Sequence, residues 1–328
     1  MSWEQRYLPP NPALWHGRPD TPEDACFYQH IKPLNLFTQK PEIKTERPFA
    51  LLGFKCDEGV SRDLGRSGAY EGPIAIRQRM AKLPIQEPSI VCFDAGDIIC
   101  NDHDLEKSQQ ALADVTTLFL QQKMLPLILG GGHESAWGIY QGIANVYPAN
   151  KKLGIINIDA HFDLQPLSPS NRGSATTTFY QVAKAMEASK RHFDYNCIGI
   201  QEAGNFRQAF ELAKQLKVHY LLAEELYLGL NEKCLDFIDR IIDENDIIYL
   251  SLSMDVFSPA FAPGVGSIQP LGLSPWQIIP LLRQLAASGK VICYDFVEHV
   301  PRYDIDHRTA KLAASLIYEI IHHHRFHQ

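Results

Sequence analysis

The sequence has no run of about 18 consecutive apolar residues, so a membrane-spanning helix is not expected. It also has no basic run: 31 Lys and Arg stand against 38 Asp and Glu, giving a formal charge of −7. That balance argues against a nucleic-acid surface. The first residues, MSWEQRYLPPNPALWHGRPD, lack the basic start and apolar stretch of a secretory signal. No C-x-x-C occurs. The seven cysteines (Cys26, Cys56, Cys92, Cys100, Cys197, Cys234 and Cys293) are odd in number and scattered. They read as reduced thiols packed within the fold of a cytoplasmic protein. Internal repeats and low-complexity linkers are absent too.

What is present is a 328-residue chain with 45% hydrophobic residues, enough to bury a large core. Short apolar runs alternate with longer amphipathic ones. FALLGF, SIVCFDAGD, LPLILGGG, LGIINIDAH, YNCIGI, KVHYLL, DIIYLSLSMD and KVICYDFVE read as strands. The clearest helices are expected over residues 104–123, 205–216, 232–243, 274–288 and 305–324, the fourth opened by a Ser-Pro cap. Continuous apolar strands in βαβα order imply an α/β fold: one three-layer, doubly wound, mostly parallel sheet of about eight strands. Residues 1–46 read as an irregular arm and 47–328 as a single domain. The closing HHHRFHQ reads as a solvated helix end, with a metal-binding tail as the alternative.

The strand ends carry the chemistry. His133 follows three glycines in LILGGGHE; Asp159, His161 and Asp163 follow IINI; Asp255 follows SLSM. The C-terminal strand ends of a doubly wound sheet meet at one crevice, so these five donors are expected to converge. If D-A-H-F-D is extended, its alternate residues share a face. Mixed imidazole and carboxylate donors suit manganese, iron, nickel or zinc. Two ions bridged by carboxylates acidify water toward neutral pH, making a nucleophile for a planar carbon such as an amidine. Glu298, ending the last strand, could grip a cationic substrate head.

At these residues the sequence resembles the arginase, or ureohydrolase, family. The motifs are GGGHE, NIDAHFD and SLSMDVFSPAFAPGVGSIQPLG, and the resemblance runs from about Leu14 to Ile320. LWHGRPD and GFKCDEGVSRDLGRSGAYEGP are most similar to the formimidoylglutamase branch. The resemblance implies hydrolysis of N-formimidoyl-L-glutamate to L-glutamate and formamide, in histidine breakdown, with divalent metal, Mn2+ first. It implies His133 and Asp163 on one ion, His161 and Asp255 on the other, Asp159 bridging, and Glu298 on the amidine. Asp163 could help move a proton. Arg62 and Arg66 are the candidates for the substrate carboxylates, with bracing of the loop as the alternative for Arg66. A homo-oligomer is expected only by analogy.

Two departures stand out. Where the family motif has a bridging aspartate, this chain has Ser253, which implies weaker binding of at least one ion or a mononuclear site. The remaining Asp159, His161 and Asp255 would then resemble the zinc site of histone deacetylases. Asn171 to Gln181, NRGSATTTFYQ, has no histidine and blurs the branch pattern, which counts against arginase or agmatinase activity. The alternatives are a protein of this fold with impaired or lost activity, a mononuclear zinc amide hydrolase, or another guanidino or amidino substrate.

Overall fold

The computed structural model describes residues 3–39, 48–229 and 232–326. Ten strands form one sheet: β1 (Tyr7–Leu8), β2 (Lys32–Pro33), β3 (Phe49–Lys55), β4 (Cys92–Ile99), β5 (Leu125–Leu129), β6 (Leu153–Ile158), β7 (Asp194–Ile200), β8 (His219–Leu222), β9 (Ile247–Ser253) and β10 (Val291–Val297). Their order is β1-β4-β3-β5-β10-β9-β6-β7-β8, with β2 also paired to β4. Every pairing is parallel except β1 with β4. Each long expected strand is present.

The central strands are apolar throughout because helices cover both faces. Every residue of β5, β6, β9 and β10 is buried. Alternation sends Ile156, Leu250, Leu252 and Phe296 to one face and Ile155, Tyr249 and Cys293 to the other. The first face packs against α3 (Gly72–Met80), α8 (Glu232–Glu244), α9 (Pro275–Ala287) and α10 (Arg308–His323). The second packs against α4 (Leu105–Gln121), α5 (Ser135–Val146), α6 (Thr178–Ala188) and α7 (Arg207–Gln215). The shorter α1 (Phe27–His30) and α2 (Glu58–Arg62) lie in connections. The expected Ser-Pro start of α9 is there: the Ser274 N–H donates to Gln277 Oε1 at 2.6 Å. Among the described residues, no helix is long and apolar enough to cross a membrane.

The segment read as an irregular arm carries β1, β2 and α1. Its two short strands pair along the outer edge of β4, where Tyr7 meets Ile98 and Lys32 meets Phe93, and so cover an open edge. Trp15 Nε1 donates to Asp94 Oδ2 at 2.7 Å, and Asp94 with Asp97 holds the fully buried Arg77. Helices α4 and α5 meet through glycines. A Cβ on Gly142 would sit 2.7 Å from Thr116 Cβ and 2.8 Å from the Ala113 carbonyl oxygen.

The site is positioned by strand order. β9 and β10 come last in the chain but insert between β5 and β6. Val297 pairs with Ser253 and Leu252 with Ile158, so these strands end side by side.

Candidate metal centre

Four neighbouring strand ends deliver the donors: β5 leads to His133, β6 to Asp159, His161 and Asp163, β9 to Asp255, and β10 to Glu298. The turn after β5 needs its glycines. Gly130 and Gly131 have φ of 68° and 77°, and a Cβ on Gly131 would lie 2.4 Å from the Phe54 carbonyl oxygen.

The D-x-H-x-D segment reaches its goal by another route than expected. β6 stops at Ile158, and residues 159–163 form a bend, not a strand. The bend folds on its own side chain: Asp159 Oδ1 accepts from the His161 N–H at 2.7 Å. Asn205 pins it from outside, accepting from the Phe162 N–H and donating to the Ala160 carbonyl. Asp163 takes a left-handed φ of 47°, a conformation that non-glycine residues adopt where surroundings force it. The premise of strand alternation is therefore corrected, while the convergence it anticipated is present.

Two groups result. His133 Nδ1 lies 3.0 Å from Asp159 Oδ2 and 2.8 Å from Asp163 Oδ2. His161 Nδ1 lies 3.2 Å from Asp159 Oδ1 and 3.3 Å from Asp255 Oδ2. Within each group the donor atoms fall within 4.8 Å of one another. Asp159 offers one oxygen to each, the disposition of a bridging carboxylate. The fit to a cation is tested by His133 Nδ1, which is buried and has no aligned hydrogen bond despite its two close carboxylates. Its other nitrogen, Nε2, meets Ser251 Oγ at 2.8 Å, which leaves the Nδ1 lone pair for an ion. These donors suit a divalent ion.

Burial and charge set the titration here. Burial alone would lower both imidazoles, but the carboxylates facing them hold His133 and His161 well above the ordinary range. Burial, then the charge of Asp159, pushes Asp163 up to about 6 and raises Asp255 as well. Burial acts to raise Asp159 too, yet His133 and His161 hold it below the ordinary carboxylate range. Protons and divalent cations compete for donors so arranged.

The groups line a cleft of about 240 Å³ with Arg66, Thr176, Ser253, Ser267 and Glu298. Glu298, at a left-handed φ of 64°, accepts from the His133 N–H at 2.8 Å. Burial pushes its carboxyl well up, and the charges of Asp255 and Glu134 add to that. Ser253 donates to Asp255 Oδ1 at 2.7 Å. The two arginines part company. Arg62 does not line the cleft: it pairs with Glu58 at 3.1 Å and Glu106 at 2.6 Å and donates to the Gly173 carbonyl. Arg66 lines it and stacks on the Tyr303 ring at 3.6 Å. The bracing expected as the alternative for Arg66 thus falls to Arg62, and Arg66 faces the cleft.

Sequence reasoning passed over Ser251, Ser267 and Gln269. Ser267 Oγ and Gln269 Nε2 lie 3.3 and 3.2 Å from His161 Nε2 and orient that ring. The signals were there: Ser251 shares the face of Ser253 and Asp255, and the other two sit in the glycine loop GVGSIQ. The C-terminal histidines do not form a metal-binding tail among the described residues. His322 accepts from the Gln86 N–H, His323 bonds the Glu319 carbonyl and His324 meets the Tyr294 hydroxyl. His327 lies outside the described residues.

A family model described as the arginase family matches residues 47–323. A formimidoylglutamase of Legionella pneumophila (strain Lens) is 42% identical over 315 residues, 96% of this chain and 97% of the relative. The structure of formimidoylglutamase from Bacillus subtilis superposes with a TM-score of 0.79 at 22% identity, covering 93% of each chain. Trypanosoma cruzi formiminoglutamase, solved with Mn2+, does so at 0.77 and 21% identity, covering 88% of this chain and 97% of that one. At these identities the structural likeness speaks for the fold alone; the sequence match across nearly the whole chain speaks for descent. By that match, this chain belongs to the arginase family.

Proposed function

We infer that the chain hydrolyses a C–N bond of a linear amidine, N-formimidoyl-L-glutamate, to L-glutamate and formamide. One observation carries the reading. Glu298 and two ligand groups share one small cleft in a chain 42% identical, over nearly its full length, to a protein named formimidoylglutamase.

His133, Asp159 and Asp163 would hold one divalent ion, and Asp159, His161 and Asp255 the other. Mn2+ suits the donors and accompanies the Trypanosoma cruzi neighbour. Bound there, such ions would acidify water and make the amidine carbon more electrophilic. The chain's own groups do the rest. Glu298, anchored by the His133 N–H, presents its free oxygen to the amidinium and fixes the formimidoyl carbon over the donors. Arg66 takes the substrate carboxylates at the rim, where a guanidinium fork matches them. Oxygen from water bonds to the formimidoyl carbon, and the bond from that carbon to the glutamate nitrogen breaks. Asp163, a buried carboxyl at the cleft, takes a proton from the attacking water and passes it to the departing amine. Seven scattered cysteines with no C-x-x-C suit a reducing cytoplasm.

A chain with lost activity and a mononuclear zinc amide hydrolase are not favoured. Each ligand group still brings three donors together, and the relative matched over nearly its full length is named formimidoylglutamase. The test is incubation of Mn2+-loaded protein with N-formimidoyl-L-glutamate, arginine and agmatine. Formamide and glutamate from the first alone are expected. Urea from either of the others, or no product from any, overturns the assignment.

A further inference from the structure

We propose that Glu134 is a positioning residue for the substrate carboxylates. Its side chain holds the loop of Arg66 at a fixed height over the cleft, and so makes the site select an amidine of glutamate over one of a shorter diacid. The inference rests on the roles read above for Glu298 and Arg66 and deepens them.

Glu134 follows His133 at the start of α5 and is fully buried, its carbonyl held by Gln109 Nε2 at 2.7 Å. Its Oε1 accepts from the Gly59 N–H at 2.9 Å, with Cys56 Sγ 3.6 Å away. Among the described residues, its Oε2 has no hydrogen-bond partner. A buried carboxyl satisfied on one oxygen alone costs stability, so an apolar side chain there would serve packing better. What the carboxyl does hold is the first turn of α2. The fit is close: a Cβ on Gly59 would lie 2.7 Å from Glu134 Cδ and 2.9 Å from the Ala175 nitrogen.

The hold reaches Arg66 through the loop's own bonds. α2 ends in a Schellman motif: the Leu64 N–H, at a left-handed φ of 58°, donates to the Ser61 carbonyl at 3.1 Å, and the Gly65 N–H donates to the Val60 carbonyl at 2.9 Å. Asp57 Oδ2 closes the base of the loop by accepting from the Gly68 N–H. Arg66 thus leaves a compact unit, fixed inside by Glu134 and outside by its own stack on Tyr303. Two consecutive residues then set the span of the site. The His133 N–H anchors Glu298, which takes the amidine; the Glu134 side chain anchors the loop of Arg66, which takes the carboxylates. The separation of the two grips is measured across one peptide bond of the turn that opens α5. A diacid one methylene shorter reaches one grip at the expense of the other.

The test compares kcat/KM for N-formimidoyl-L-glutamate and N-formimidoyl-L-aspartate on the whole Mn2+-loaded chain. The parent should prefer the glutamate compound ~10- to 200-fold, the scale of one methylene. Glu134→Ala frees Gly59 and should lower that preference at least ~10-fold, through KM for the glutamate compound. Glu134→Gln keeps an oxygen for the Gly59 N–H and should retain the preference within a few-fold. A merely structural role would slow both substrates alike and leave their ratio where it was. Gly59→Ala, which forces the same contact apart from the loop side, should give the same loss of preference and decides the matter if Glu134→Ala fails to fold. A parent that prefers neither compound overturns the proposal. So does a preference that Glu134→Ala or Gly59→Ala leaves intact. A parent that releases no formamide from N-formimidoyl-L-glutamate overturns the reading on which the proposal rests, and the proposal with it.

Discussion

Arg62 and Arg66 stand four positions apart in one loop, yet their guanidinium groups have opposite surroundings. Arg62 is enclosed by Glu58, Glu106 and the Gly173 carbonyl; Arg66 has the Tyr303 ring beneath it and the cleft in front. Arg66→Ala should therefore raise KM for formimidoylglutamate roughly 10- to 100-fold, the scale of a lost charged hydrogen bond, with Mn2+ affinity unchanged. Arg62→Ala should instead cost about 1–3 kcal/mol in urea unfolding, because Glu58 and Glu106 lose their partner. Equal effects of both on KM would refute this division. Residue type and spacing made His133, Asp159, His161, Asp163 and Asp255 legible in the sequence. The arginines were not separable there, because what distinguishes them is a partner 44 positions away, Glu106. A second residue-scale expectation concerns Cys100. A hydrogen bond with Cys56, helped by Ser108 and Arg6, pulls its thiol down to about 7. The deprotonated form then gains population as pH rises through 7, and the half-buried thiolate reacts with alkylating agents. Iodoacetamide at pH 7.5 should label Cys100 ahead of Cys26, which is also partly exposed, as mapped by mass spectrometry.

Helix α5 was not among the helices singled out from sequence, and the reason is physical. Its sequence SAWGIYQGIANV holds two glycines, each a poor helix former by about 1 kcal/mol. Their value lies across the interface, where Gly138 faces the Gln109 backbone and Gly142 faces Ala113 and Thr116 of α4. Such a contact is invisible without knowing which helices meet. Gly142→Leu should push the two helices apart and destabilise the protein by about 1–3 kcal/mol or more, measured by thermal melting. A variant as stable as the parent would show that α4 can yield there. The bend at residues 159–163 carries the same lesson. Its donors were readable, but its shape depends on Asn205 reaching in from beyond β7, and a strand was the simpler local expectation.

Across the whole molecule, both ligand groups join strands that are distant in sequence, so ion binding fastens the sheet at its centre. Without cations, three carboxylates and two imidazoles crowd one largely buried place. Mn2+ at 100 times its dissociation constant should add about 2.7 kcal/mol of stability. Chelation should lower the melting temperature, and re-addition should restore it. Asp159→Asn should abolish the response, since it touches both groups; a full response in that variant would contradict its shared role.

Strand order has a consequence for synthesis. A ribosome that has released only residues 1–245 has made β1 to β8 but neither β9 nor β10. β5 and β6 then lack the two strands that lie between them in the finished sheet, a gap of about 14 Å across three strand spacings. The nascent chain at that stage would be two half-sheets with exposed inner edges, carrying His133, Asp159, His161 and Asp163 but not Asp255. Cation capture by both groups thus waits until β9 and β10 have been made, and chaperone demand should peak just before that.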